Sequence, residues 1–382
     1  MDVSEVSEQA FNRIVSAISV EYLISDIFLI NRLAGNCMNN ASEYVLVALT
    51  KSGKSSVKKF IVAILILLIT LTLLVSNRHL VLLTLLSFTD TPLLIAKQDE
   101  GPRVRWHDDY YTIEWLDPQT VAIGEPLYYQ QNINYLIIGE DRAVLFDAGS
   151  GLRKILPVVE QLTDKPITFV PSHFHYDHLG DGLPFDNIAV IDLPHISNRV
   201  TNNQLALQWH EHLGSVEGYT SPTFEVSEWL QPGHEMDLGD RKLIVLYTPG
   251  HTNDSISLYD SRTDILFSGD FIYQGDFFAF LPNSSLGDYD QGAKIVLATI
   301  TRETSIYGAH RMRAPGTPIV NITNVQDLKQ ALDDIRNGSL KSEGFYPVTY
   351  RVSDEINLLA EPWYLQSWKV SYPNPGSTGN QQ

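Results

Sequence analysis

The sequence has 382 residues, 44% hydrophobic and 19% charged, which is typical of a globular protein with room for one large domain and extensions. Asp and Glu outnumber Lys and Arg by 45 to 27, and the resulting formal charge of −18 argues against nucleic acid as a partner or substrate. The only cysteine is Cys37, which excludes a disulfide framework and a multi-thiolate metal site.

An apolar run near the N-terminus has the composition of a membrane-spanning helix. Residues 60–75 contain no charge, and a second apolar run follows at 80–88. About 20 apolar residues cross a bilayer, so the sequence predicts one transmembrane segment within 57–88. The lysines that precede the first run are Lys51, Lys54, Lys58 and Lys59. By the positive-inside tendency, the N-terminus is cytoplasmic and the C-terminal bulk lies on the periplasmic or extracellular side.

The apolar segment is interpreted as an uncleaved anchor, because no small-x-small cleavage site follows it. The alternative is a cleaved signal peptide, which would make the protein secreted. The predicted layout is an N-terminal extension at 1–56, the transmembrane region at 57–88, a catalytic domain at 100–345, and a C-terminal extension with a flexible tail at 346–382. The first extension is cytoplasmic or, if Met38 is the true start, partly untranslated.

Between these ends, short apolar runs alternate with turn residues, which is typical of sheets covered by helices. The predicted strands are 120–123, 135–138, 143–146, 167–170, 189–191, 243–247, 256–259 and 265–267. The predicted helices are 153–162 and 325–335. A polar segment at 202–213 has a helical pattern and carries His210, Glu211 and His212, which are interpreted as solvent-exposed or as the rim of a pocket.

A dense group of histidines and an aspartate follows the predicted strand 167–170. The sequence HFHYDH at 173–178 places four candidate ligands in six residues. In an extended loop alternate residues point the same way, so His173 and His175 can bind one cation while Asp177 and His178 turn toward a second. Imidazole and carboxylate ligands favour zinc and related divalent ions. An isolated pair of histidines is usually structural, but a cluster this dense predicts a metal site.

Three later loops supply the other candidate ligands: His251 in TPGHT, Asp270 in FSGD and His310 in GAH. Gly250 is expected to let the backbone approach the metal, whereas His234, before a polar turn, is interpreted as a surface residue. The first cation is assigned His173, His175 and His251, the second Asp177, His178 and His310, and both share Asp270.

These four motifs occur in the order and loop contexts of the metallo-β-lactamase superfamily, which the chain resembles from about residue 120 to residue 310. The sequence LFDAGSG at 145–151 is similar to the family's strand and DxG element. The resemblance implies that Asp147 holds the histidine loop. It also implies an α+β fold, the αβ/βα four-layer sandwich, with two divalent metal ions at one edge and zinc favoured.

Two cations roughly 3.5–4 Å apart lower the pKa of a water molecule toward 7 and polarise a substrate carbonyl. Asp177 can orient that water or accept its proton, and is therefore the expected catalytic residue. We expect hydrolysis of a small-molecule ester, lactone or thioester with an apolar acyl part. The aromatic residues that follow Asp270 either wall an acyl pocket or pack in the core. They are Tyr273, Phe277, Phe278 and Phe280.

The details of the motifs separate the branches of the superfamily. The β-lactamases commonly have Cys or no acidic residue at the position of Asp270, whereas glyoxalase-like, lactonase-like and thioesterase-like members keep the aspartate. The sequence GHTNDS at 250–255 departs from the glyoxalase pattern GHTxGH. The stretch 249–288 resembles most the branch of metallo-β-lactamase domain-containing protein 2, which has acyl-CoA thioesterase-like members.

Other functions stay open from the sequence. A membrane-tethered metal-binding or sensory domain would keep the ligands without turnover. A nuclease or a true β-lactamase would share the HxHxDH loop, although the acidic charge argues against the nuclease. Diiron redox members typically carry Glu where His175 stands. The sequence does not predict an oligomeric state.

Overall fold

The computed structural model describes residues 55–86, 94, 100–312 and 316–372. The chain divides into two compact units, of which the first contains helices α1 (Ser55–Ser76) and α2 (Arg78–Leu86) and the second contains the described strands. Several features of the sequence interpretation lie outside the described residues. They are most of the extension 1–56 with Cys37 and Met38, the lysines Lys51 and Lys54, Phe88, and the tail from 373.

Helix α1 is apolar, and most of its side chains from Lys59 to Ser76 are exposed. The stretch Lys59–Ser76 has a mean hydropathy of 2.7, and none of it is buried within the structure. Among the described residues it is the one helix that is long and apolar enough to cross a membrane, judged by length and composition. A signal sequence is also long and apolar, so these properties are shared by a membrane anchor and a signal sequence.

The second unit is built from short strands and six further α-helices among its described residues. The strands are β1 (Arg105–Trp106), β2 (Thr112–Asp117), β3 (Thr120–Gly124), β4 (Ile133–Ile138), β5 (Ala143–Phe146), β6 (Ile167–Val170), β7 (Asn187–Ile191), β8 (Gln204–Ala206), β9 (Thr223–Glu225), β10 (Glu228–Leu230), β11 (Glu235–Asp237), β12 (Lys242–Tyr247), β13 (Ile256–Asp260), β14 (Ile265–Gly269), β15 (Gly275–Ala279), β16 (Ser305–Gly308), β17 (Ile319–Val320), β18 (Val348–Arg351) and β19 (Ile356–Ala360). The helices are α3 (Leu156–Leu162), α4 (Tyr176–Leu179), α5 (Pro194–Ser197), α6 (Trp209–His212), α7 (Leu286–Thr299) and α8 (Ile322–Asn337). A 3₁₀ helix spans Gly214–Glu217.

Two large sheets form the frame. The first has the order β1-β2-β3-β4-β5-β6-β7-β10, and the second β11-β12-β13-β14-β16-β17. Smaller sheets are β15-β19-β18 and β8-β9. In the second sheet β12, β14 and β16 run in the same direction, because β13 is antiparallel to β12 and β14 while β16 is parallel to β14. Their carboxyl ends therefore meet at one edge.

The main core lies between the two large sheets. Tyr135 of β4 and Phe267 of β14 are fully buried, with ring centroids 5.0 Å apart. A second core, with Leu266 of β14 and Leu328 of α8, joins the second sheet to α7, α8 and the three-stranded sheet. The expected mixed α/β fold is confirmed. It results from strands that are apolar on both faces and so need a covering layer on each side.

All eight predicted strands are present, and two of them, at 143–146 and 167–170, have the predicted bounds. The predicted helix 325–335 extends over Ile322–Asn337, because the side chain of Asn321 caps its start and Gly338 ends it in the left-handed region. The predicted helix 153–162 begins only at Leu156.

The helix predicted at 202–213 is wrong over its first half. Residues 204–206 form β8, which pairs with β9 so that Leu205 lies opposite Phe224, and both side chains are buried. Pairing with a distant strand overrides the local helical pattern, and only the short helix α6 remains.

The stretch 346–382, expected to be an extension and tail, contains β18 and β19. Strand β19 pairs with β15, which lies inside the expected catalytic range, and Val348, Tyr350 and Leu358 are buried in the second core.

Candidate metal centre

The seven predicted ligands lie in loops at the carboxyl ends of strands. The loop after β6 carries His173 and His175, and the short helix α4 that follows it carries Asp177 and His178. The loops after β12, β14 and β16 carry His251, Asp270 and His310, in that order. Because those strands run in the same direction, their ends deliver the three side chains to a common edge.

The structure brings all seven side chains together. Potential ligand atoms lie within 4.8 Å of one another in each of three groups. The groups are His173, His175 and His251; Asp177, His178 and His310; and His173, His178 and Asp270. The first two match the predicted sets, and the third joins Asp270 to one histidine from each set, which is the arrangement that a bridging carboxylate requires.

Individual distances show how tightly the groups converge. His251 Nε2 lies 3.1 Å from His175 Nδ1 and 3.3 Å from Asp270 Oδ2. His310 Nε2 lies 3.1 Å from Asp270 Oδ1 and 3.5 Å from Asp177 Oδ2. At most 8% of any of these side chains is exposed to solvent.

The ring nitrogens of His251 and His310 that face away from the centre are held by acceptors. His251 Nδ1 donates to the carbonyl oxygen of Phe278, and His310 Nδ1 donates to that of Gln130, both over 2.9 Å. Since a carbonyl oxygen only accepts, the Nδ1 atoms carry the protons and the Nε2 lone pairs point to the centre. Metal-binding histidines are oriented in this way.

Several buried atoms at the centre have no hydrogen-bond partner among the described residues. They include Nε2 of His173, His175 and His178 and Oδ1 of Asp270. Burying a polar atom without a hydrogen-bond partner destabilises the folded state. Here the unpartnered atoms are imidazole nitrogens beside a carboxylate oxygen. This donor set fits divalent transition-metal cations, zinc among them.

The ionisation of five of the seven side chains suits cation binding. In His178 and His310 burial lowers the pKa but the neighbouring aspartates raise it by more, so a cation would displace a proton from these two imidazoles. Burial lowers the pKa of His173, His175 and His251, which keeps these imidazoles neutral and able to coordinate. Burial opposes ionisation of the two aspartates, but the neighbouring histidines hold the pKa of Asp177 and of Asp270 well below the usual range. Both carboxylates are therefore charged at neutral pH.

Asp147 fixes the histidine loop, as the resemblance implied. Its carboxylate accepts a hydrogen bond from the Ser172 backbone N–H over 2.6 Å and lies 2.9 Å from His178 Nδ1. Ser172 Oγ in turn lies 3.0 Å from His173 Nδ1. One carboxylate thereby orients imidazoles assigned to both cations.

Other positioning residues were missed by sequence reasoning. Asn132 Nδ2 donates to the backbone oxygen and to Oδ2 of Asp177, over 2.8 and 3.2 Å. Fully buried Glu125 accepts hydrogen bonds from the N–H and Oγ of Ser150 and from the hydroxyl of Tyr110, and so pins the loop that follows Asp147. A buried amide or carboxylate in a polar loop carries no local signal, and the carbonyl oxygens of Phe278 and Gln130 carry none at all.

The His210-Glu211-His212 segment is not solvent-exposed as a whole, which corrects one of the two interpretations offered above. Glu211 and His212 are 8% and 5% exposed because α6 packs against the site loops, whereas His210 is half-buried. The His212 ring lies 6.3 Å from that of Tyr176. Burial lowers the pKa of His212 to about 4, against the opposing field of Asp177, so the imidazole is neutral at neutral pH.

The aromatic residues after Asp270 divide between core and site. Phe277 is fully buried, with its ring centroid 5.7 Å from that of Tyr289. Tyr273 is also buried and packs edge-on against His310 at 5.5 Å. Phe278 is partly exposed, and its backbone oxygen is the acceptor for His251. Phe280 is buried as well, so of the four candidate pocket residues only Phe278 has an accessible side chain.

The chain that carries this arrangement is similar to proteins of known families. The family model of the Metallo-beta-lactamase superfamily matches residues 130–317. The acyl-coenzyme A thioesterase MBLAC2 of Gallus gallus is 30% identical over 216 residues, which cover 50% of this chain and 78% of that protein. This chain belongs to the metallo-β-lactamase superfamily. The Homo sapiens MBLAC2 thioesterase is 31% identical over 207 residues, 46% of this chain and 74% of that protein.

A more distant relative in the metallo-β-lactamase superfamily is the hydroxyacylglutathione hydrolase of Bartonella quintana, 26% identical over 187 residues that cover 48% of this chain and 64% of that protein. These relatives are named as a thioesterase and a hydrolase, and the chain is a hydrolytic enzyme. The matched region 130–317 contains all seven side chains that converge in the structure.

Proposed function

We propose that the chain hydrolyses thioesters with an apolar acyl part, using two divalent cations for which zinc is favoured. The observation that carries the proposal is the convergence of five histidines and two aspartates, with buried donor atoms left without protein partners. The similarity to proteins named as thioesterases favours hydrolysis over the alternative of a sensory domain that binds metal without turnover.

The described residues divide the work at the site. His173, His175 and His251 would hold one cation, Asp177, His178 and His310 the other, and Asp270 both. When bound, such a pair lowers the pKa of water to about 7 and polarises a carbonyl oxygen. Asp177, charged and oriented by Asn132, is placed to align that water and accept its proton at a carboxylate oxygen.

A thioester is favoured over an ester or a lactone. Both MBLAC2 relatives are named acyl-coenzyme A thioesterases. A thiolate leaves readily near neutral pH because the pKa of a thiol is about 8.5, so the site needs no strong acid beside the leaving group. The partly exposed ring of Phe278 offers an apolar contact for the acyl part.

We further propose that α1 anchors the protein in a membrane, with the catalytic domain on the periplasmic or extracellular side. The support is the length and hydropathy of Lys59–Ser76, together with Lys58 and Lys59 at its N-terminal end. Secretion after signal cleavage is the alternative.

The test measures hydrolysis of matched acyl thioesters, acyl esters and lactones by the metal-loaded full chain. We expect two equivalents of metal, the highest kcat/KM on thioesters, and loss of activity on chelation. Asp177→Asn should lower kcat/KM at least a hundredfold, whereas Asp109→Asn, at an exposed site, should not. Equal rates in chelated enzyme would refute metal-dependent hydrolysis, and a preference for esters or lactones would refute the thioester.

A further inference from the structure

A wall of uncharged polar side chains stands beside the HFHYDH loop. Tyr176 belongs to that motif, and its hydroxyl lies 2.9 Å from the hydroxyl of Tyr128 and 3.2 Å from that of Tyr129. Gln130 Nε2 donates to the Tyr176 hydroxyl over 3.0 Å. We call these four residues, Tyr128, Tyr129, Gln130 and Tyr176, the tyrosine wall. Its link to the centre is direct, because the Gln130 backbone oxygen holds His310.

His212 extends the tyrosine wall. Its ring lies 6.3 Å from the Tyr176 ring, and Asp177 is near enough for its field to act on the imidazole. The side chain is 5% exposed, and Nδ1 is buried with no hydrogen-bond partner among the described residues. A buried ring nitrogen without a partner is costly, so its persistence beside the centre points to a partner that arrives with the substrate.

Helix α6, which carries His212, is held by its neighbours, and the charge of the adjacent Glu211 is paired with Arg199. Glu211 pairs with Arg199 through two hydrogen bonds of 3.1 and 2.6 Å, and also accepts from the Gln208 N–H that begins α6. Asn283 Nδ2 donates to the His210 backbone oxygen over 3.3 Å and so ties α6 to the loop beside His251. The helix that carries the imidazole is therefore held in place, while His212 Nδ1 keeps no hydrogen-bond partner among the described residues.

We propose that His212 and the tyrosine wall form a subsite for an amide group in the thiol half of the substrate. This inference rests on the proposed thioester hydrolysis. The acyl half is apolar, so a polar subsite beside the scissile bond fits the other half. Hydroxyl, carboxamide and neutral imidazole groups complement an amide N–H and C=O, and none of these five residues carries the positive charge that recognition of phosphate would use.

The substrate class that follows is a short amide-bearing thioester, recognised without a nucleotide. The net charge of −18 disfavours a phosphate-rich leaving group. A thioester of N-acetylcysteamine should therefore be hydrolysed about as efficiently as a coenzyme A thioester with the same acyl group, and more efficiently than a thioester of an alkanethiol of equal length.

The test compares these three substrates with the metal-loaded full chain. We expect wild type to prefer the N-acetylcysteamine thioester over the alkanethiol thioester by roughly tenfold in kcat/KM, the size of one good hydrogen bond to an otherwise unpaired group. In His212→Ala that ratio should fall toward one, mainly through KM. His212→Gln, which retains a hydrogen-bonding group, should restore part of it, and Tyr176→Phe should lower it partially.

The control is His210→Ala, which removes an imidazole from the same helix but from another face, and it should leave the ratio unchanged. Melting temperature and metal content are measured for every variant. If one variant is misfolded, the test relies on the other variants of the subsite. A wild-type ratio near one, or an unchanged ratio in both His212→Ala and Tyr176→Phe, overturns the subsite while thioester hydrolysis stands. Absence of hydrolysis on all three substrates overturns the proposed function and the subsite with it.

Discussion

At the residue scale, Asp147 shows how one side chain organises the centre without binding a cation. It lies in the left-handed region, with φ of 67°, at the end of β5. Asp tolerates this conformation better than most residues. Its two carboxylate oxygens have different partners. Oδ1 accepts a hydrogen bond from the Ser172 N–H, and Oδ2 contacts His178 Nδ1.

Asp147→Asn should therefore impair the centre more than the fold. The amide cannot support His178 as a charged acceptor does, so we expect metal affinity and kcat/KM to fall by about 10–100-fold. The measurement is titration of the chelated protein with zinc, together with kinetics at saturating metal. Asp164→Asn, at an exposed loop position, is the matched control. Wild-type zinc affinity in Asp147→Asn would contradict the role.

Asp254 yields a pH-dependent prediction. It is fully buried, accepts a hydrogen bond from the Phe174 N–H over 2.9 Å, and burial raises its pKa from 3.8 to about 7. A carboxyl whose pKa is raised on folding favours the folded state in its protonated form. Its contribution is full below about pH 4 and is lost as pH rises to about 7.

Replacing Asp254 with Asn removes this titration, because the amide is neutral at every pH. We expect the melting temperature of Asp254→Asn to rise relative to wild type between pH 4 and 7, by several degrees in all, and to stay parallel to it above pH 7.5. The difference between the two proteins cancels the histidine titrations that they share. Parallel curves across the whole range would show that Asp254 does not titrate there.

At the scale of elements, the sequence predicted three of the four strands that precede ligands, at 167–170, 243–247 and 265–267. It missed β16, which precedes His310, and β15, whose backbone supports His251. Strands such as 143–146 and 167–170 are continuous apolar runs bounded by turn residues, so their pattern is explicit. Strand β15 reads GDFFA and gains its identity only from pairing with β19, 81 positions later in the chain, as in Phe278 opposite Leu359. The site itself was predictable because each ligand sits in a motif of its own type.

Gly250 illustrates a motif residue with a packing role that the sequence did not predict. Its φ is +147°, and an added Cβ would lie 2.3 Å from the Tyr289 ring. The residue therefore permits close packing of the backbone on a buried aromatic ring. Tyr289 is itself packed against Phe271 and Phe277, so it cannot move aside.

Gly250→Ala should displace the loop that carries His251. We expect a lower melting temperature, loss of metal from one of the two sites, and at least a tenfold fall in kcat/KM. Gly338→Ala is the control, because that glycine also has a positive φ of 79° but no atom within 4 Å of an added Cβ. It should lower stability modestly and leave kinetics unchanged. Equal effects of both variants on activity would refute the packing explanation.

At the scale of the whole molecule, the exposed helix α1 is the basis of the proposed membrane anchor. Leu68 and Leu71 are about half exposed within an uncharged stretch. A lysine near the middle of a spanning helix costs roughly 2.5–3.5 kcal/mol in insertion. The double variant Leu68→Lys/Leu71→Lys should therefore lose carbonate-resistant association with membranes.

Phe60→Lys is the control for the double variant, because it adds charge next to Lys59 at the helix end, where an interfacial lysine is tolerated. It should remain in the membrane fraction. Recovery of wild type and both variants in the soluble fraction would refute the anchor, and a shortened wild-type chain in that fraction would support signal cleavage.

The pairing of β15 with β19 has a consequence for biosynthesis. The carbonyl oxygen that orients His251 belongs to β15, and the partner strand of β15 ends at Ala360, after every ligand in the chain. A nascent polypeptide that has already emerged with all seven ligands still lacks the strand that steadies one of them. We therefore expect loading with metal to be completed only after residue 360 has left the ribosome.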